Sequence, residues 1–530
     1  MVNARGRSFR DAILVLVGAT CMHIASSFIN SFQPDLFSGD IIVNTEVHQQ
    51  VPAQPSPQAL PTQIAPPTLP PPPTTVDLSY DFPETTIDSH APGWTLFHNL
   101  YMSNGTLFIV TPLPSTEFPE IKFITSTGLA ADTTPENIEA RMPTRQNMDF
   151  ITPEQARERW GPMPSKPRSK NRVWNVSGNT VLFNDPAQFL DHYYHFCAEL
   201  LLGMWAFWQG GHSARVDPKH AELTTAPPLT RAIFAHATAD GWRDHPGMNS
   251  YFLRAAFPSL TVEVQKDWED RIVATSAGGE HARAWHFDSV LLTDRSAAFR
   301  GVVCGTQVHR TAGEAFHYMR NRGNLTRWWW EPVRRAVLQF AGVDQRVLEI
   351  GVRAQAEAER IKLGEVSNQR VPRQDVVITY IDRQGVRRHL IDEDHQKLVD
   401  ALVELSANKG YELNIVQAEK LTKEQQLDLV ARTTVLLGVH GNGLTHLIMM
   451  SPTPISTVIE MFYPGGFAHD YEWTARAMGH KHFAIWNDTY HTHPNLPYVD
   501  YPEGFQGTQI PAHAPTIIKI IEDRIEGRLP

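Results

Sequence analysis

His195 and Glu199 stand four residues apart in "QFLDHYYHFCAELLLGMWAFWQ", residues 188–209. On a helix that spacing puts both side chains on one face. A carboxylate or imidazole held there can take the proton of an attacking hydroxyl. Glu199 is the first candidate base and His195 the second, with Asp191 and His192 one turn earlier. A metal site is the weaker reading, because H-E-x-x-H is absent. The plain alternative is a helix packed through Tyr194 and Trp205, with its polar residues solvated.

A second cluster lies in "TTVLLGVHGNGLTHLIMMSP", residues 433–452. The apolar run Val435-Leu436-Leu437 meets the turn His440-Gly441-Asn442-Gly443, and Leu444-Thr445 open the next apolar stretch. Two glycines let a ligand approach the backbone. The N–H groups of residues 441–445 then face that ligand at a helix start, which suits a phosphate or diphosphate. His440 and His446 are further donors. The pattern is neither G-x-G-x-x-G nor a P-loop. Arg383 ends the apolar run "DVVITYIDR", and Arg387 and Arg388 follow. Arginine clamps diphosphate oxygens in a planar, bidentate way. For Arg387 and Arg388 the alternative is an exposed charge run. Glu460 interrupts the apolar "STVIEMFYP", where a carboxylate could take ribose hydroxyls. A buried glutamate paired with a neighbour is its alternative.

The elements that must position these residues alternate in the C-terminal half. Strands are expected at 375–383, 411–417, 434–440, 456–462 and 481–487, and helices at 392–410, 422–433, 443–451 and 469–479. This alternation predicts a parallel sheet covered by helices on both faces, with ligands at the carboxyl ends of its strands. A final helix is expected at 515–529. The first half reads as strands at 105–112, 180–185, 260–265 and 288–294 around the 188–209 helix. The fold class is α/β.

"YIDRQGVRRHLIDE", "KLTKEQQLDLVARTTVLLGVHGNGLTHLIMMSP" and "STVIEMFYP" resemble the ordered motifs of glycosyltransferase family 61. "YYHFCAELLLGMW" is similar to a His-Phe-Cys-Asp segment of N-acetylglucosaminyltransferases in that family. The resemblance covers roughly residues 180–490. It implies a GT-B-like fold, two Rossmann-like domains facing across a cleft. It also implies inverting transfer from a UDP-sugar, UDP-N-acetylglucosamine or UDP-xylose, to a glycoprotein or polysaccharide acceptor. Arg383, Arg388, His440, Gly441, Asn442, Gly443, Leu444, Thr445 and Glu460 would hold the donor. Asn442 stands where the family has alanine, His446 where it has asparagine, and Glu199 falls one position after the expected aspartate. No metal is expected, since arginine and helix N–H groups can offset the leaving charge. The nearest acid pattern, "DED" at 392–394, opens a helix and reads as capping.

The chain has 530 residues and a formal net charge of -10, so two or more domains are expected and nucleic acid is an unsuitable partner. Arg5, Arg7 and Arg10 precede the uncharged apolar segment 12–29. We expect a cytoplasmic tail (1–11), a signal-anchor transmembrane helix (12–29) and a proline-rich stem (30–91). An acceptor-side domain (92–325) and a nucleotide-sugar-binding domain (326–530) follow. A cleaved signal peptide competes with the anchor, but no small-x-small cleavage site stands out. Either reading sends the chain into the secretory pathway, as a lumenal Golgi or endoplasmic reticulum protein. Sequons at Asn104, Asn175, Asn324 and Asn487 agree with this. Cys197 and Cys304 are either one disulfide or two buried thiols. A membrane-tethered glycan-binding protein or an inactive relative is the alternative function, with the tryptophans of "WWW" (328–330) as sugar platforms or as core.

Overall fold

The computed structural model describes residues 77–132, 134–213, 226–306, 310–362 and 376–530. The expected tail, anchor and most of the stem lie outside these residues. Among the described residues no helix is long and apolar enough to cross a membrane.

The first sheet comprises β1 (Thr86–Ala91), β2 (Trp94–Ser103), β3 (Thr106–Val110), β4 (Met148–Ile151), β5 (Val173–Pro186), β6 (Arg231–His236), β7 (Thr261–Glu263) and β8 (Ala284–Thr293). Their order is β4-β3-β2-β8-β5-β6-β7, with β1 on β2. The strands β8, β5, β6 and β7 run parallel. Connection order along these four reverses between β5 and β8, and an open parallel sheet binds ligands beyond the carboxyl ends at such a point. The folded body starts earlier than residue 92. Proline gives way to apolar residues after Thr75, Leu78 and Phe82 are buried, and β1 pairs with β2.

The second sheet holds β9 (Val377–Ile381), β10 (Glu412–Val416), β11 (Val435–Val439), β12 (Thr457–Met461), β13 (Lys481–Trp486) and β14 (Thr489–His491). Its order is β10-β9-β11-β12-β13-β14, parallel except for β14. Every residue of β9, β11 and β12 is buried, as strands covered on both faces must be. Here the order reverses between β9 and β11. The two sheets are thus each parallel-rich and Rossmann-like. Leu398, Leu402 and Leu405 of helix Asp392–Lys409 pack with Ile517, Ile520 and Ile521 of the final helix, Ala514–Ile525, which therefore stays with the second sheet.

One hydrophobic core runs through both halves, from Trp94 and Leu201 to Leu444 and Leu447. Trp329 and Trp330 belong to it, and Trp330 Nε1 donates to the Ile448 carbonyl at 2.9 Å. These two tryptophans are core, not platforms. The expected helix at 188–209 starts later: residues up to 192 form a turn, Tyr193 is the first in helical conformation, Tyr194–Leu201 is π-helical, and Leu202–His212 is α-helical.

Candidate active site

Arg383 follows β9 and His440-Gly441 follow β11, so both stand at the carboxyl ends that flank the second reversal of strand order. Arg383 Nη1 donates to the His440 carbonyl at 3.4 Å. A Cβ on Gly441 would run into the Arg383 guanidinium, and one on Gly443 would lie 3.1 Å from Ile381 Cγ2. The glycines therefore let the end of β9 and its arginine press on the turn. The short helix expected at 443–451 is present as a 3-10 helix over Asn442–Met449. Its first bond is Leu444 N–H to Gly441 O at 2.9 Å, so the Asn442 and Gly443 N–H groups precede the ladder.

Arg388 is half-buried beside Arg383, and its Nε has no hydrogen-bond partner. Burial, then the like charge of Arg383, pulls the Arg388 pKa down to about 10. Arg383 also shifts down, chiefly through burial. Arg387 is exposed and donates to Gln506 Oε1 at 2.8 Å. Two crowded, partly desolvated guanidinium groups beside free N–H groups form a site that an anion would stabilise.

Glu460 has no exposed surface. One carboxylate oxygen accepts from His440 Nδ1 and the other from His482 Nε2 at 2.7 Å. Burial raises the Glu460 pKa, but the two histidines outweigh it and hold the group ionised. Burial keeps His440 neutral down to about 4. Its Nδ1–H donated to Glu460 leaves Nε2 as an acceptor. Glu460 thus lies one layer beneath His440. Leu444 and Thr445 are buried, so they can offer a ligand only backbone; Thr445 Oγ1 donates to Asn442 Oδ1 at 3.1 Å.

The other cluster stands over the reversal in the first sheet. His195 Nδ1 lies 2.6 Å from Glu199 Oε2. Arg295 Nη1 donates to the same oxygen at 3.1 Å, and Thr311 Oγ1 to Glu199 Oε1 at 3.1 Å. Arg295 Nε also reaches Asp185 Oδ1 at 3.2 Å, tying the ends of β5 and β8 together. Burial raises the Glu199 pKa, but Arg295 and the His195 hydrogen bond outweigh it, so Glu199 sits well below the usual carboxylate range. Burial lowers the His195 pKa more than Glu199 raises it. The Glu199 side chain is 2% exposed and that of His195 21%, so the imidazole fronts the site and the carboxylate backs it. By sequence Glu199 comes first as base; by exposure His195 is the outer of the two. The π-helical turn carries both, and such turns concentrate at functional sites.

The two clusters meet. Asn442 Oδ1 accepts the Tyr194 backbone N–H at 3.2 Å. His446 lies 2.9 Å from Gln426 Oε1 and 3.4 Å from the Tyr193 hydroxyl. The two departures from the family pattern thus join the halves. Arg310 pairs with Asp470 and lies over the Tyr194 ring at 5.7 Å. Arg295, Arg310, Thr311 and His482 escaped the sequence reading because their partners are remote in the chain. A signal existed for Arg295: "DSVLLTDR" ends an apolar strand in arginine, as "DVVITYIDR" does.

Among the described residues no group of three or more His, Cys, Asp or Glu is placed to hold a metal ion. Asp392, Glu393 and Asp394 lie in a first helical turn. Cys197 and Cys304 are free, buried thiols. Two open surface grooves, of about 500 and 700 Å³, lie elsewhere and contain no residue of the two clusters around Arg383 and His195.

The chain is similar to known proteins over part of its length. The EGF domain-specific O-linked N-acetylglucosamine transferase of Drosophila melanogaster is 37% identical over 79 residues, 15% of this chain and 14% of that protein. The likeness therefore spans a small part of either. The glycosyltransferase 61 family matches residues 193–459, from the residue before the π-helical turn to the third residue of β12, and the chain belongs to that family.

Proposed function

We propose that the protein transfers a sugar from a UDP-sugar to a hydroxyl of a glycoprotein or polysaccharide, with inversion and without a metal. The observation that carries this reading is the crowded Arg383–Arg388 pair at the glycine turn, joined through Asn442 to the segment bearing His195. In a GT-B-like arrangement the second domain holds UDP and the first presents the acceptor. Arg383, Arg388 and the turn N–H groups receive the diphosphate, and His440 Nε2 accepts a ribose hydroxyl. His195 Nε2 takes the proton of the acceptor hydroxyl. The acceptor oxygen bonds to the anomeric carbon from the face opposite the diphosphate. The anomeric C–O bond breaks, and its electron pair leaves with the β-phosphate oxygen. Arginine and N–H groups offset that charge as it develops. Glu199, ionised and fixed by Arg295 and Thr311, stabilises the imidazolium.

N-acetylglucosamine is the first sugar to try, given the activity named for the Drosophila relative, and xylose the second. The basic, then apolar N-terminus supports a single-pass protein with this body in the Golgi or endoplasmic reticulum lumen. The test is release of UDP from a panel of UDP-sugars by the purified protein, with and without excess chelator. Turnover that persists in chelator supports the reading; failure to bind UDP in calorimetry overturns it and favours a glycan-binding protein. Binding and turnover that require added divalent metal overturn its metal-free part.

A further inference from the structure

Phe189 is held in a conformation that its own chemistry resists. Its φ is +70°, in the left-handed region, where a bulky side chain is an outlier and the backbone is strained. Its neighbours fix it there. Both amide atoms of Gln188 bond to the backbone of Ala131, at 2.7 and 3.1 Å. Leu190 is fully buried, and its carbonyl accepts from Asn249 Nδ2 at 2.8 Å. The result is an aromatic ring turned outward, 42% exposed. Its inner side is accounted for: its centroid lies 4.9 Å from that of His195, and the Arg295 guanidinium lies 5.8 Å away. The outer side lies open next to the group that would deprotonate the acceptor. Asp191 and His192, just beyond, are also exposed.

An apolar ring with a polar rim matches a pyranose, which has C–H faces and a hydroxyl edge. A hydrophobic peptide side chain would call for an enclosed apolar pocket instead. We propose that Phe189 is the platform on which the acceptor's sugar ring lies, with the reacting hydroxyl over His195. This rests on the transferase reading above and narrows its acceptor to a carbohydrate. The local strain is then the means by which the ring stays beside the base rather than in the core.

The test uses the full chain with the UDP-sugar it hydrolyses best. UDP release is followed as methyl β-xyloside, methyl α-mannoside, methyl β-galactoside or a short serine/threonine peptide is added. A methyl glycoside should accelerate release by the wild type. Phe189→Ala should raise the KM for that glycoside about tenfold, while Phe189→Trp restores it. Both variants should keep the donor KM, which reads the diphosphate site remote from Phe189. Phe189→Gly should melt no lower than wild type, because glycine accepts the left-handed backbone. Stimulation by the peptide alone, an unchanged glycoside KM in Phe189→Ala, or a marked fall in Tm in Phe189→Gly would overturn the proposal. Absence of any UDP-sugar turnover by the wild type would instead strike the transferase reading itself.

Discussion

The side-chain oxygen of Asn442 accepts the backbone N–H of Tyr194 across the two halves of the molecule, at 3.2 Å. The turn at the proposed diphosphate site is thereby fastened to the segment that carries His195. Alanine, the family's usual residue, cannot make this link. Asn442→Ala should cost about 1–3 kcal/mol in urea unfolding, the usual penalty for a buried donor left unpaired. UDP affinity should hold, because the turn's backbone is untouched, while kcat falls as the base segment loosens. Unchanged stability would show that the contact carries no weight.

The arginines divide by environment. Arg383 and Arg388 are partly desolvated and crowd each other, whereas Arg387 is exposed and bonded to Gln506. Each charge-assisted bond to phosphate contributes about 1.5–3 kcal/mol. Calorimetry with UDP should therefore show affinity losses of roughly 10- to 100-fold for Arg383→Ala and Arg388→Ala and none for Arg387→Ala. Gly441→Ala should mimic Arg383→Ala, since the added methyl group displaces the guanidinium. Equal losses for all three arginines would place the diphosphate elsewhere.

The second sheet was legible because each of its core strands is a short buried run closed by a turn or a helix start, and the observed ends fall within two residues of expectation. The first sheet was less so. β2 carries His98 and Asn99 at its centre, with Asn99 at φ +56°, which breaks the alternation that marks a strand. The site was half legible for a related reason. Arg383, Gly441 and Glu199 advertise themselves by interrupting apolar runs, but what each does depends on distant partners. Glu199 meets Arg295 and Thr311 at separations of 96 and 112 residues. No local pattern could show that its carboxylate would be neutralised from behind, or that Glu460 would be enclosed by two histidines.

His195 and Glu199 make separable contributions to a pH profile. His195→Ala should lower kcat/KM by about 100-fold or more, as loss of a general base does. In the wild type the acidic limb reports His195 and should lie below its ordinary 6.5, because burial outweighs the support of Glu199. Glu199→Gln removes that support. The limb should then move to still lower pH, and kcat should fall by about 100-fold, because a less basic, less firmly held imidazole accepts the proton. Arg295→Lys should lower kcat with donor KM unchanged, since an ammonium lacks the fork that spans Glu199 and Asp185. An acidic limb that rises in Glu199→Gln would contradict the assignment of His195 as base.

His446 places a pH liability in the join between the halves. It is 5% exposed, and burial alone lowers its pKa to about 4. The unfolded chain binds its proton near 6.5. Above that pH neither state is protonated and the full stability is present. Between 6.5 and 4 only the unfolded chain takes up the proton, so stability drains as the pH falls through that window. One such group removes about 3 kcal/mol by pH 4. Asparagine, the family's usual residue, keeps a polar partner for Gln426 and has nothing to protonate. His446→Asn should give up some packing at pH 7.5 and yet lose less stability on acidification, so that urea midpoints measured from pH 7.5 to 4.5 fall less steeply than those of the wild type. Parallel curves would mean that His446 is already protonated in the folded protein, or that water reaches it.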